Sequence, residues 1–166
     1  MLHNIETIRN MGIDRNCMDQ PYLVGRMVAV IETAIVVPSG FAHKVTVDPK
    51  GYTLNYYLDK AIAKGGDYAD DLMMLQSKAG SSSHSLDTDG QYWIGYYNQR
   101  ADIDRKRIGQ QIKDRRIELN YSQQYLAKMT RMTAATISKL ENGRWSASVD
   151  MLSRVASALH LKLNLD

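Results

Sequence analysis

Cysteine is almost absent. The 166 residues include one, Cys17, which excludes an internal disulfide and points to a reducing compartment. Long apolar runs are missing as well. The longest, MVAVIETAIVV, is interrupted by Glu32 and is far too short to cross a bilayer. The opening MLHNIETIRN has no apolar signal core, so a cytoplasmic location is expected. The four histidines, His3, His43, His84 and His160, fall in four segments without ligand spacing, so no metal is expected. Asp87-x-Asp89-Gly90 is a scrap of a calcium loop that lacks the remaining ligands and the terminal Glu, and it reads as a helix-capping turn. The GG and SSS stretches match no phosphate loop. No catalytic constellation is visible, so the expectation is a protein that is not an enzyme and carries no cofactor.

What is present is a soluble globular composition, 44% hydrophobic and 23% charged. The net charge of +3 conceals an asymmetry. Residues 1–100 carry 9 Lys/Arg against 11 Asp/Glu, and residues 101–166 carry 12 against 7. The last third is therefore basic, which suits either a polyanion such as nucleic acid or a merely solvated cationic surface.

The fold class read from the pattern is all-α, with a helical bundle over residues 1–103 and a five-helix domain over residues 104–166, with or without a short C-terminal strand. From Tyr22 to Val37, Leu23, Met27, Val30, Ile31 and Ala34 recur at helical spacing, and Pro38 and Gly40 end that run. KVTVDPKGY alternates and is expected as a short strand or an extended loop. YTLNYYLDKAIAK and DYADDLMMLQSKAG are helices stopped by Gly65-Gly66 and by Gly80. SSSHSLDTDG is a loop. The helix that follows has no Pro or Gly spacer before the next begins near Arg105, which predicts a helical joint.

Within residues 105–160, Ile108, Ile112 and Leu119 share a face. Ser122, Thr133 and Ser148 are N-caps. Leu126, Ala127, Ile137, Leu140, Leu152, Val155, Ala156 and Leu159 point inward, and Gly143 ends a helix as a residue free to adopt positive φ. The run from Ile108 to Leu159, with SQQYLA followed by TISKLENG, resembles the helix-turn-helix domain of the phage-repressor (XRE) family. The resemblance implies a sequence-specific DNA-binding transcriptional regulator acting as a homodimer on double-stranded DNA. It places helix 122–129 across the DNA backbone and helix 133–142 in the major groove. It makes Gln123, Thr133, Ala134, Ala135, Thr136, Ser138, Lys139, Asn142 and Arg144 the DNA-contacting positions, and Arg116 with Glu141 a buried ion pair. The turn between the two helices usually carries glycine where this chain has Arg131, and a left-handed residue there costs about 1 kcal/mol. Two readings stay open: the turn avoids positive φ, or Arg131 offsets the strain by reaching a phosphate. The segment LHLKLNLD has the alternation of a strand, which pairs across a dimer two-fold or frays.

In the first hundred residues, PYLVGRMVAVIE and SLDTDGQYWIGYYNQRADI resemble the C-terminal helical part of the large subunit of type I-C CRISPR surveillance complexes, over about residues 15–103. The resemblance implies a helical bundle without catalytic residues. It leaves open an accessory DNA-binding subunit of a defence complex, and an antitoxin-like bundle that binds a protein partner. Together the two resemblances imply a bacterial or mobile-element genome and a nucleoid-associated protein. Tyr92, Trp93, Tyr96 and Tyr97 read either as a base-stacking platform or as core, and Arg26, on an apolar helix, is expected to meet a carboxylate.

Overall fold

The structure is a computed structural model that describes residues 17–48, 51–80 and 90–162. Among the described residues there are eight helices and no strand: α1 (Gln20–Ala34), α2 (Phe41–Thr46), α3 (Tyr52–Lys64), α4 (Asp67–Ala79), α5 (Gly90–Glu118), α6 (Gln123–Thr130), α7 (Ala134–Glu141) and α8 (Val149–Ala158). The chain divides into two compact units, 1–100 and 101–166. The long helix α5 runs unbroken through the boundary, in keeping with the absence of any Pro or Gly spacer.

In the first unit α1 is buried on nearly every side, with Leu23, Val24, Met27, Val28, Val30 and Ile31 all inaccessible. A helix apolar all round must lie at the centre of its unit, and α1 packs against α2, α3 and α4. It also meets α5 at backbone distance. A Cβ on Gly25 would come within 2.9 Å of the Tyr92 carbonyl carbon and the Tyr96 amide, and one on Gly95 within 2.9 Å of the Tyr22 carbonyl carbon. Each helix thus places its glycine against the other's backbone, a crossing that only residues without a side chain permit. Next to Gly25, Arg26 Nε donates to Oε1 of Gln99, one turn past Gly95, at 2.8 Å. An amide therefore faces Arg26 where a carboxylate was expected.

The aromatic cluster of α5 wraps from core to surface. Tyr92 is buried and donates to the Ala42 carbonyl at 2.8 Å, while Tyr97 is 64% exposed. Tyr96 donates to Glu32, and burial together with that acceptor pushes its phenol up to about 12. The KVTV alternation is not a strand. Lys44–Thr46 end α2 and Val47 follows it; Gly40 enters that helix from a left-handed conformation (φ 71), and the helix buries Phe41, Ala42 and Val45. Four alternating residues cannot outweigh an apolar pair at i and i+4 with a place to pack. Residues 81–89, expected as a loop and including Asp87 and Asp89, lie outside the described residues.

The second unit is built from repeated punctuation. Ser122, Thr133 and Ser148 cap α6, α7 and α8, their hydroxyls accepting from the amides of Tyr125, Thr136 and Met151 at 3.0, 3.0 and 3.3 Å. The far ends of α5, α6, α7 and α8 each turn through one left-handed residue: Asn120, Arg131, Gly143 and His160. In every case the next amide reaches back to the carbonyl five residues earlier: Tyr121 to Arg116, Met132 to Ala127, Arg144 to Lys139, Leu161 to Ala156. This closure satisfies the carbonyls that a helix end leaves free. Ile112, Leu126, Ala127, Ile137, Leu140, Val155 and Leu159 form the core, with Ile108, Leu119 and Leu152 against it. Four helical segments are described here where five were expected. Leu161 and Lys162 are irregular, and residues 163–166, most of the expected strand, lie outside the described residues.

The α1–α5 crossing generates a prediction. Gly25→Ala and Gly95→Ala should each destabilise the protein by about 1–3 kcal/mol through overpacking. Urea unfolding followed by circular dichroism checks this, and an unchanged midpoint in both variants would show that the helices have room to part.

Candidate nucleic-acid interface

Helices α6 and α7 lie against each other, joined by Arg131, Met132 and Thr133. Ile137 and Leu140 bury one side of α7 completely or nearly so. Its far end is pinned by backbone: a Cβ on Gly109 would lie 2.7 Å from the Glu141 carbonyl oxygen, and one on Gly143 2.8 Å from the Lys106 amide. The opposite side of α7 is open.

One carboxylate ties these elements together. Arg116 on α5 donates from Nε to Glu141 Oε1 at 2.6 Å and from Nη2 to Oε2 at 3.0 Å. Its third nitrogen, Nη1, donates to the Tyr121 carbonyl at 2.8 Å. Gln123, at the start of α6, donates from Nε2 to Glu141 Oε2 at 2.8 Å. The side chains of Arg116 and Glu141 are 12% and 1% exposed. The hydrogen bond that Arg116 donates to the Glu141 carboxylate pushes the guanidinium further up, holding its charge.

The turn does not avoid positive φ. Arg131 sits at φ 56, ψ 42, in the left-handed region, with its side chain exposed. Its guanidinium makes no ion pair among the described residues, and neither do the exposed Lys128, Lys139 and Arg144. Other cations of the unit are engaged internally. Arg105, Arg107, Arg115, Arg116 and Arg154 are paired with Asp102, Asp104, Glu118, Glu141 and Asp150. From Leu119 to Val149 the chain has a single carboxylate, the buried Glu141. The outer surface of α6, the turn and α7 therefore presents free positive charge and no negative charge, which suits a polyanion.

The expected site residues are not all equally accessible. Arg131, Thr133, Ala135, Lys139, Asn142 and Arg144 are exposed, and Gln123, Ala134, Thr136 and Ser138 half-buried. Ala134 packs partly against the core, so the exposed side of α7 opens with Ala135 and not with both alanines. The Thr133 and Thr136 hydroxyls lie 2.9 Å apart and bond each other. Asn142 donates from Nδ2 to the Ser138 carbonyl at 2.7 Å. Gln123 and Asn142 thus each commit one N–H to the protein and keep one. Sequence reasoning missed Lys128, and the signal that could have found it is the absence of any carboxylate from Leu119 to Leu140 in the sequence.

A helix-turn-helix family model, HTH_3, matches residues 112–165. Over 63 residues the chain is 40% identical to the ImmF control region 10 kDa protein of Bacillus phage phi105, a stretch that covers 38% of this chain and 70% of the phage protein. The chain belongs to the HTH_3 helix-turn-helix family. No solved structure matches it. The HTH_3 segment takes in Ile112 to Leu165 and so contains Arg116, Gln123 and Glu141. The comparisons lend nothing to the CRISPR resemblance of residues 15–103, whose motif residues Gly25, Arg26, Gly95 and Gln99 are accounted for by the α1–α5 crossing.

Two predictions test this HTH_3 segment. Arg116→Ala should cost about 3–5 kcal/mol, because it strands a buried carboxylate, and its effect should be far from additive with that of Glu141→Gln. A double-mutant cycle on denaturant unfolding measures the coupling, and independent effects would mean that the pair contributes nothing. Arg131→Gly should raise stability by about 1 kcal/mol by relieving the left-handed backbone. Thermal unfolding reads this directly, and an unchanged melting temperature would show that no strain is stored there.

Proposed function

We propose that the chain is a sequence-specific DNA-binding transcriptional regulator that acts as a homodimer, with α7 in the major groove of double-stranded DNA. The observation that carries this is the surface of α6, the turn and α7, which among the described residues holds four cations without an ion pair, in a stretch whose one carboxylate, Glu141, is buried. Membership of the HTH_3 family supports the reading, and the phage relative is itself named for a control region.

The residues divide by reach. Lys139, long and exposed on α7, donates to guanine O6 or N7. Ala135 allows close approach and meets a thymine methyl. Thr133, Thr136 and Ser138 hold α7 at the groove through their hydroxyls, and the half-buried Ala134 keeps its near end low. Gln123 and Asn142 each offer a remaining N–H to phosphate, and Lys128, Arg131 and Arg144 supply charge to the backbone, which sets register and not sequence. The first unit serves as a dimer or protein-partner surface, since its acidic balance disfavours DNA.

Selection of bound sequences from a random DNA pool tests the whole reading: an enriched inverted repeat is expected, and none at moderate salt would sink it. In titrations against single-base variants of that operator, Lys139→Ala should lose about 1–3 kcal/mol of discrimination at one base pair per half-site. Arg144→Ala and Arg131→Gly should weaken all sequences alike and lower the salt slope by about 1 for each phosphate left without its cation. Uniform loss from Lys139→Ala would mean that α7 is not the reading helix.

A further inference from the structure

Glu141 accepts from two side chains, one charged and one neutral. Arg116 balances the carboxylate with a paired bond at 2.6 and 3.0 Å. Gln123 adds a bond from Nε2 to Oε2 at 2.8 Å and brings no charge. Among the described residues it is the one side-chain hydrogen bond that links α6 to α7. We propose that Gln123 is a positioning residue for base reading: it joins the DNA backbone to α7 through Glu141, so that a phosphate contact sets how Lys139 meets its base. The proposal rests on the reading of α7 as the helix in the major groove, and goes beyond the phosphate contact that this reading gives Gln123.

Three observations carry it. First, Gln123 opens α6 and Glu141 closes α7, so a single amide spans the start of one helix and the end of the other. Second, the rest of that amide is uncommitted. Its Oε1 has no partner among the described residues and is not shut off from solvent. A primary amide holds two N–H groups in one plane at a fixed divergence. With Glu141 on one of them, an acceptor on the other stands about 5 Å from the Glu141 oxygen. Arg116 already balances the carboxylate, so a phosphate oxygen can approach to that distance without meeting a bare negative charge. Third, Lys139 lies two residues before Glu141, which puts the two on opposite sides of one helical turn. Glu141 is buried and Lys139 exposed. Whatever fixes the buried side of that turn fixes the exposed side with it.

The test uses the full-length protein. Gln123→Met keeps the length of the side chain and removes both N–H groups, while the Arg116–Glu141 pair stays intact and holds the fold. In the DNA-free variant, amide hydrogen exchange at residues 140–142 should speed up about tenfold, the amount that one hydrogen bond to a charged group is worth, with exchange in α5 unchanged. On the selected operator, discrimination at the base pair read by Lys139 should fall about fivefold, and Gln123→Met should remove no further discrimination from Lys139→Ala, because the two act through one contact. Gln123→Asn, whose amide is one carbon short of Glu141, should give the same results and guards against a packing effect of methionine. Weaker binding that is uniform over all operator variants would overturn the proposal and leave Gln123 a phosphate contact alone. Unchanged exchange in both variants would overturn it as well. An absence of any enriched operator sinks the regulator reading and this proposal together, whereas an operator whose bases the wild type and Gln123→Met discriminate equally sinks this proposal alone.

Discussion

Glu141 is the constraint on which the helix-turn-helix unit depends. A carboxylate with 1% of its side chain exposed must be matched by donors on nearly every lone pair, since an uncompensated buried charge costs several kcal/mol. The donors come from Arg116 on α5 and Gln123 on α6, while Glu141 itself closes α7. Three helices thus converge on one group, and none can shift without leaving part of the charge unmatched. The net contribution of such a cluster to stability is small, because desolvation offsets attraction. What it fixes is where α7 sits relative to α6. The same bond explains why Gln123 is half-buried: it ties the start of α6 to the end of α7.

Around that anchor the second unit tolerates little ambiguity. Three hydroxyl caps open its helices and four left-handed residues close them, and only Gly143 among the four is glycine. Asparagine visits this region at modest cost, arginine and histidine at more. The unit accepts that cost at Arg131, the position between the two helices that carry the proposed DNA-facing residues, where a guanidinium stands exposed and makes no ion pair among the described residues.

Much of this unit was legible in the sequence. Serine or threonine ahead of an apolar period marks an N-cap because only a short polar side chain reaches the free amides, so Ser122, Thr133 and Ser148 were readable one by one. The core from Ile108 to Leu159 followed from helical spacing alone. The Arg116–Glu141 pair came through the family resemblance, since nothing local connects residues so far apart in sequence. What stayed hidden depends on partners distant in the chain. Gly25 and Gly95 entered the sequence reading only as parts of the motifs that resemble a CRISPR subunit, and their packing role shows only where α1 and α5 meet. Gln123 gave no hint that its amide was already committed. Ala134 and Ala135 are the same residue type, and only the core decides that one turns in and the other out. In the first unit KVTV misled because period two over four residues is a weak signal beside an apolar pair at i and i+4.

The composition of the stretch from Leu119 to Val149 has a further consequence. It contains no histidine and no carboxylate apart from the enclosed Glu141. Histidine is the side chain that ordinarily changes charge near neutrality, so the number of charges this face shows to a partner stays constant across the physiological pH range. Acidification that would retune a histidine-bearing surface leaves this one unaltered. The variable it does respond to is ionic strength, because every charge on it is solvent-facing and screened within about 8 Å at physiological salt.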